Sequence, residues 1–234
     1  YGANDSSGYD INPRLMVQEG VDRAEAAGLN FANFDNNGDG TLDGLQVVHS
    51  GYGEEAGAPS YTIWSHQWTL STYARTYDGV YINTYSTVPE LYGTSGSVIT
   101  GVGVLAHEFG HNIGCPDTYD TDGTSSNGNA LACGYFDIMA SGSWNNSGNN
   151  PPLHNPYCRW NLGWLTPTTV TATSNLTLNA ATSSSTVYRY DTTTTNEYFL
   201  LENRQQTANW DYYIPAHGML IWHIDRNWIS SHSS

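Results

Sequence analysis

One segment of this 234-residue chain follows a different period from its surroundings. Between Ser97 and Ile113, Ile99, Val102, Leu105 or Ala106, Phe109 and Ile113 recur every three to four residues. That spacing predicts a helix with one apolar, buried face. Ser97 or Thr100 can cap its start, and Gly114 can supply the left-handed residue that ends it. Gly101 and Gly103 oppose the reading, since glycine is a poor helix former, so packing offsets them or the helix starts later. His107 and His111 stand one turn apart on this helix, and both imidazoles can aim at one point. Two nitrogen ligands of a tetrahedral zinc ion need that arrangement. Glu108 sits at the edge of the same face, where it can act as general base toward a zinc-bound water without taking a coordination position. Lone histidines in a helix are ordinary residues; His-Glu-x-x-His inside an apolar one reads as a zinc site.

A third ligand must come from beyond the helix. Gly114 permits a sharp turn and Asp117 follows three residues later, giving His-Glu-x-x-His-x-x-Gly-x-x-Asp. This resembles the metzincin signature with Asp in place of the final His. Asp120 competes, but the register selects Asp117 and leaves Asp120 to orient a ligating histidine; His223 and Glu202 are remote alternatives. Met139, in FDIMASG 22 residues beyond Asp117, has the position of a Met-turn beneath the metal. Zinc as a purely structural ion fits poorly, because such sites are usually closed by four Cys or His ligands.

The rest of the chain predicts an α+β fold. Residues 11–28 place Leu15, Val17, Val21 and Ala24 at helical spacing, ended by Gly28. LQVVHSG reads as a buried strand, SYTIWSHQW as strand or strand end, and RTYDGVYINTYSTVPE as two strands about Asp78-Gly79. Cys115 to Pro152 is loop-like, PYCRWNLGWL a short helix ending at Gly163, and residues 168–204 are dominated by β structure; HGMLIWHID is a further, largely buried strand. Helices in the first half and strands in the second imply one domain over 1–234 with two lobes, about 1–114 and 115–234.

Composition removes some functions. All 7 basic residues are arginine against 22 acidic ones, and a formal charge of -15 repels phosphate backbones, so nucleic acid is not a partner. The acidity serves solubility, with part of it available for cations. No apolar run is long enough for a membrane span. The chain reads as a trimmed or processed piece. Of its three cysteines, Cys115 and Cys133 can close a loop across 17 intervening residues, leaving Cys158 free; the alternative is three reduced thiols.

Asp35, Asn37, Asp39, the Thr41 carbonyl and Asp43 repeat oxygen ligands at alternate positions around Gly40, as in a calcium-binding EF-hand loop. The pattern departs at its twelfth position, where Gln46 replaces the bidentate Glu; Glu54, Glu55, Asp5 or Asp10 can supply the last carboxylate. The alternative is an Asx-rich turn. Among His49, His66, His154, His217 and His223, the loop residue His154 is the first choice for the substrate cleft, and Trp144 is a candidate subsite residue.

FDNNGDGTLDGLQVVHSGYGEE, IWSH, HEFGHNIGCPDTYD, FDIMASGSWN, LGWL, EYFLLENRQ and HGMLIWHID occur in order along nearly the whole chain. Together they resemble the catalytic domain of the immune-inhibitor-A-type metallopeptidases. The resemblance implies a secreted bacterial zinc endopeptidase acting on proteins or peptides, with bound calcium, and usually a prodomain and C-terminal domains. It implies a metzincin-like two-lobed fold with a β-rich C-terminal lobe. Cys115 departs from the family, which commonly has an aliphatic residue there; a thiol so close to the metal can bind it in an inactive state. The competing reading is a catalytically degenerate domain that keeps its metals and binds protein or glycan, and the intact Glu108 argues against it.

Overall fold

Helix α1 spans Pro13–Ala26, with Pro13 at its first turn and the inward residues Val17 and Val21 fully buried. It closes at Gly28, whose φ of 89° lies in the left-handed region. The computed structural model describes residues 1–121, 133–171, 175–207 and 210–232, and the chain divides into two compact units, Tyr1–Ile113 and Gly114–Ser234.

In the first unit, Asp78-Gly79 turns a hairpin of β3 (Arg75–Tyr77) and β4 (Val80–Ile82), Asp78 at φ 53° and Gly79 at 82°. Positive φ at both central residues matches the right-handed twist of the flanking strands. A three-stranded sheet runs β1 (Gln46–Tyr52), β5 (Thr84–Leu91), β2 (His66–Thr69), with β1 parallel and β2 antiparallel to the central strand. Val17, Val21, Phe31, Leu42, Leu70, Val80, Ile82 and Tyr85 form the core. Helix α2 (Val102–Asn112) packs on β5 and β2.

Three expectations are corrected here. The helix of the zinc motif starts at Val102 after Gly101, and neither Ser97 nor Thr100 caps it. Its buried residues are Gly103, Val104, His107, Glu108 and Gly110, while Ile99, Val102 and Phe109 are exposed. The helix thus buries the face of Gly103, His107 and Gly110, and the apolar stripe does not set its orientation. β1 is an edge strand with only His49 buried, so LQVVHSG is not a fully covered strand.

The second unit holds the four-stranded sheet β6 (Thr168–Thr169), β7 (Tyr188–Asp191), β8 (Glu197–Arg204), β9 (Gly218–Asp225), and the helices α3 (Pro156–Asn161) and α4 (Arg226–His232). Alternate residues of β8, Tyr198, Leu200, Glu202 and Arg204, are fully buried. β9 alternates with solvent, and Met219 and Ile221 are exposed, so its continuous apolar run does not make a two-sided buried strand. Among the described residues, five strands precede α2 and the helices α3 and α4 follow it, which corrects the division into a helical half and a β half. The chain is mixed α+β with few helices and several sheets. No described helix is long and apolar enough to cross a membrane.

Candidate metal centre

Two side chains tie α2 to the sheet beneath it. Gln46 Nε2 donates to the Leu105 carbonyl at 2.8 Å. Asn112 Nδ2 donates to the Leu45 carbonyl at 3.0 Å and to Ser86 Oγ at 3.1 Å. Gln46, the residue that breaks the EF-hand pattern, therefore serves the helix. Phe109 lies over Gly44, where an added Cβ would sit 2.7 Å from the ring and displace it. These contacts hold the imidazole-bearing turn of α2.

The chain then turns at Gly114, φ 96°, and reaches Asp117. One ligand atom each from His107, His111 and Asp117 lies within 4.8 Å of the others, the one such His/Cys/Asp/Glu group among the described residues. The two imidazoles are 4.9 Å apart between centroids and edge-on, at 89°. Two imidazole nitrogens and a carboxylate oxygen suit a borderline divalent ion and leave a coordination position open. The residues present fit a catalytic metal. Glu108 is buried in the same helix and stands outside the ligand group.

Asp137, which the sequence reading passed over, organises the chain behind this loop. It is fully buried. Its Oδ2 accepts from Thr118 Oγ1 at 2.7 Å and Asn155 Nδ2 at 2.6 Å; its Oδ1 accepts from the amides of Asn155 at 3.0 Å and Met139 at 3.3 Å. Thr118 follows Asp117, and its amide also donates to the Met139 carbonyl at 2.9 Å. The fully buried Met139 is thereby tied to the loop carrying Asp117. A Cβ at Gly142 would meet the Asp137 carbonyl at 2.3 Å, so glycine is required at this turn. A carboxylate inside an apolar island was the available signal, because a buried charge demands several donors.

His154 is half-buried and edge-on to Trp164, 5.6 Å between centroids; it is not in the ligand group. The preceding residue, Leu153, donates its amide to Asp211 at 3.0 Å. Asp211 pairs with Arg204, and Arg204 and Arg159 both pair with Glu202, which also accepts from Trp222 Nε1 at 3.0 Å. Glu202 is thus engaged in a buried ionic network and is no metal ligand in this structure. His223 bonds Glu197 at 2.7 Å, His217 bonds Gln206 at 3.0 Å, and His49 Nδ1 contacts the Ser50 carbonyl at 3.2 Å. His66 bonds the Trp64 carbonyl at 2.7 Å and Tyr85 Oη at 2.9 Å, and burial pushes its pKa down. Trp144 is half-buried.

The Asp35–Asp43 loop closes on its own amides. Asp35 accepts from Gly38, Asp39 and Gly40, Asp39 Oδ1 from Thr41, and Asp43 Oδ2 from Asn36. These are Asx-type bonds, and the loop's carboxylates do not form a metal-ready group. The three cysteines are all thiols, Cys115 and Cys158 buried and Cys133 half-buried, and Cys158 Sγ accepts from Asn155 Nδ2 at 3.4 Å.

The model of the immune inhibitor A peptidase M6 catalytic domain matches residues 1–165. The chain belongs to this family. Immune inhibitor A of Bacillus thuringiensis subsp. alesti is 32% identical, over 62% of this chain and 24% of its own length. Pre-pro-metalloprotease PrtV of Vibrio cholerae serotype O1 (strain M66-2) is 35% identical, over 62% of this chain and 18% of its own. The alignments thus span about a quarter or less of these curated relatives. No solved structure matches the chain. The part matched by the M6 model contains α1 to α3, the His107–His111–Asp117 group, Met139 and His154, and ends before β6.

Proposed function

We propose that this M6 domain is a zinc-dependent endopeptidase acting on protein or peptide substrates. The observation that carries the reading is the convergence of His107, His111 and Asp117 beside a buried Glu108, within a chain that belongs to a peptidase family. His107, His111 and Asp117 hold the metal. Bound there, zinc acts as a Lewis acid that polarises the scissile carbonyl and acidifies water. Glu108 takes the proton from the attacking water and delivers it to the leaving amine. Asp120 orients a ligand, Met139 packs as a Met-turn, and His154 lines the cleft. The domain is metzincin-like, a single catalytic unit over 1–234 with lobes of about 1–114 and 115–234. It works as a monomer, within a longer multidomain precursor, as a secreted bacterial protein. The pre-pro form named for the Vibrio relative supports such a precursor.

Elemental analysis combined with casein cleavage tests the reading. The expected result is one bound zinc per chain, activity lost on chelation, and activity regained with zinc. Cleavage that persists after complete metal removal overturns it. A calcium ion in the Asp35–Asp43 loop is proposed on ligand spacing alone. A site filled at about a hundred times its dissociation constant adds about 2.7 kcal/mol, so selective calcium removal with zinc retained should lower the melting temperature. Identical melting curves leave the loop as an Asx turn.

A further inference from the structure

Residues 151–155 belong to no helix or strand, yet this stretch is fixed along its length. Pro151 and Pro152 are buried, and Pro152 packs so closely on Gly142 that an added Cβ there would lie 2.6 Å from its ring. Leu153 is gripped through both of its backbone groups. Its amide donates to Asp211 Oδ1 at 3.0 Å, and its carbonyl accepts from Arg204 Nη2 at 3.5 Å. Asn155 is gripped by a second carboxylate, its amide donating to Asp137 Oδ1 at 3.0 Å and its Nδ2 to Asp137 Oδ2 at 2.6 Å. His154 therefore lies between two residues that fully buried carboxylates hold, and its ring rests edge-on against the exposed Trp164. Thr118, next to Asp117, bonds the same Asp137 oxygen as Asn155, so this stretch and the ligand loop share one anchor.

The grip on Leu153 is itself rigid. Arg204 Nε donates to Asp211 Oδ2 at 2.6 Å and Nη2 bonds Oδ1, a bidentate pair, while Nη1 donates to Glu202 Oε1 at 3.0 Å. Asp211 adopts φ 71°, a left-handed conformation that its surroundings must hold in place. Replacing such a buried pair by apolar residues of the same shape is often neutral for stability, so what the pair adds is direction. That direction is spent on the residue before His154. We infer that the Arg204–Asp211 pair is a positioning unit for peptide cleavage, holding His154 against the substrate through the backbone of Leu153. This role rests on the zinc endopeptidase reading, in which His154 lines the cleft. Arg204 and Asp211 are fully buried, so neither touches substrate; they act on the backbone that carries the imidazole.

A mutant cycle on the full chain tests it, with zinc content, thermal melting and kcat/KM for dye-labelled casein measured for every variant. Asp211→Asn keeps the left-handed backbone, which Asn tolerates, and weakens the hold on Arg204 and Leu153. Leu153→Pro removes the amide donor and leaves the buried pair intact, so it reads the same contact if Asp211→Asn fails to fold. Each is expected to lower kcat/KM about tenfold or more at unchanged zinc content. His154→Ala should lower it at least as far. Adding either substitution to His154→Ala should cause no further fall, because the group they position is gone. An equal fall in the His154→Ala background, or a fall that tracks lost zinc or lost stability, overturns the assignment. So does a His154→Ala enzyme with the parental kcat/KM. Failure of the peptidase reading is distinct: it shows in the parent chain itself, as cleavage that persists after complete metal removal, and takes this assignment with it.

Discussion

Glu108 and Asp117 are separable at the level of single side chains. Glu108 is buried but stands outside the ligand group, whereas Asp117 is inside it. Glu108→Gln keeps volume and leaves both imidazoles in place, so metal content should be unchanged while turnover of casein falls about a hundredfold or more. Near-normal turnover would remove Glu108 from the base role. Asp117→Ala deletes a proposed ligand and should lower zinc affinity strongly, measured by competition with a chromogenic chelator. Asp120→Ala should keep the metal and slow the enzyme at most modestly, by about tenfold, as expected for a residue that orients a ligand. If the two variants exchange these behaviours, the third ligand is Asp120.

At the scale of elements, the loop behind the site depends on one carboxylate. Asp137 joins Thr118, the Met139 turn and the start of α3 through four hydrogen bonds. Asp137→Asn replaces an acceptor oxygen by an amino group facing donors, and leaves buried polar groups without partners. The expected cost is about 1–3 kcal/mol of unfolding free energy, read by denaturant titration. An unchanged midpoint would mean that backbone bonds alone, such as Thr118 to Met139, hold this loop. The helix of the zinc motif is a different case. Its stripe of Val102 and Phe109 fits a helical period but stays largely exposed, because the bonds of Gln46 and Asn112 fix the helix on the sheet.

For the whole molecule, acid stability follows from groups that folding places unevenly. His66 has its pKa lowered from an ordinary value near 6.5, first by burial and then by His49 and Arg14, against opposing effects of the Trp64 carbonyl and Glu55. Its folded pKa lies below its unfolded one, so the unfolded chain takes up the proton first. The neutral imidazole's contribution is complete above about pH 6.5 and is lost as pH falls through the folded value. Asp22, hydrogen-bonded to Arg75, has a pKa pulled from 3.8 to about 2, so its contribution is present above about pH 4 and disappears toward about pH 2. This pair is about one-third exposed and adds at most about 1 kcal/mol. Unfolding free energy measured against pH should therefore decline in two windows, and His66→Gln should flatten the upper one. A variant with the same slope as the parent in that window would assign the effect elsewhere.

The sequence by itself determined what depends on neighbours along the chain. The i, i+4 histidines, the turn at Gly114, the Asp78-Gly79 hairpin and the register of Asp117 are local, and each is legible because backbone geometry over a few residues fixes it. Only tertiary structure decided which face of α2 is covered, that Gln46 serves that helix, that Glu202 is neutralised by two arginines, and that Asp137 gathers residues 118, 139 and 155. Such pairings are set by packing between distant segments, and spacing along the chain carries no information about them.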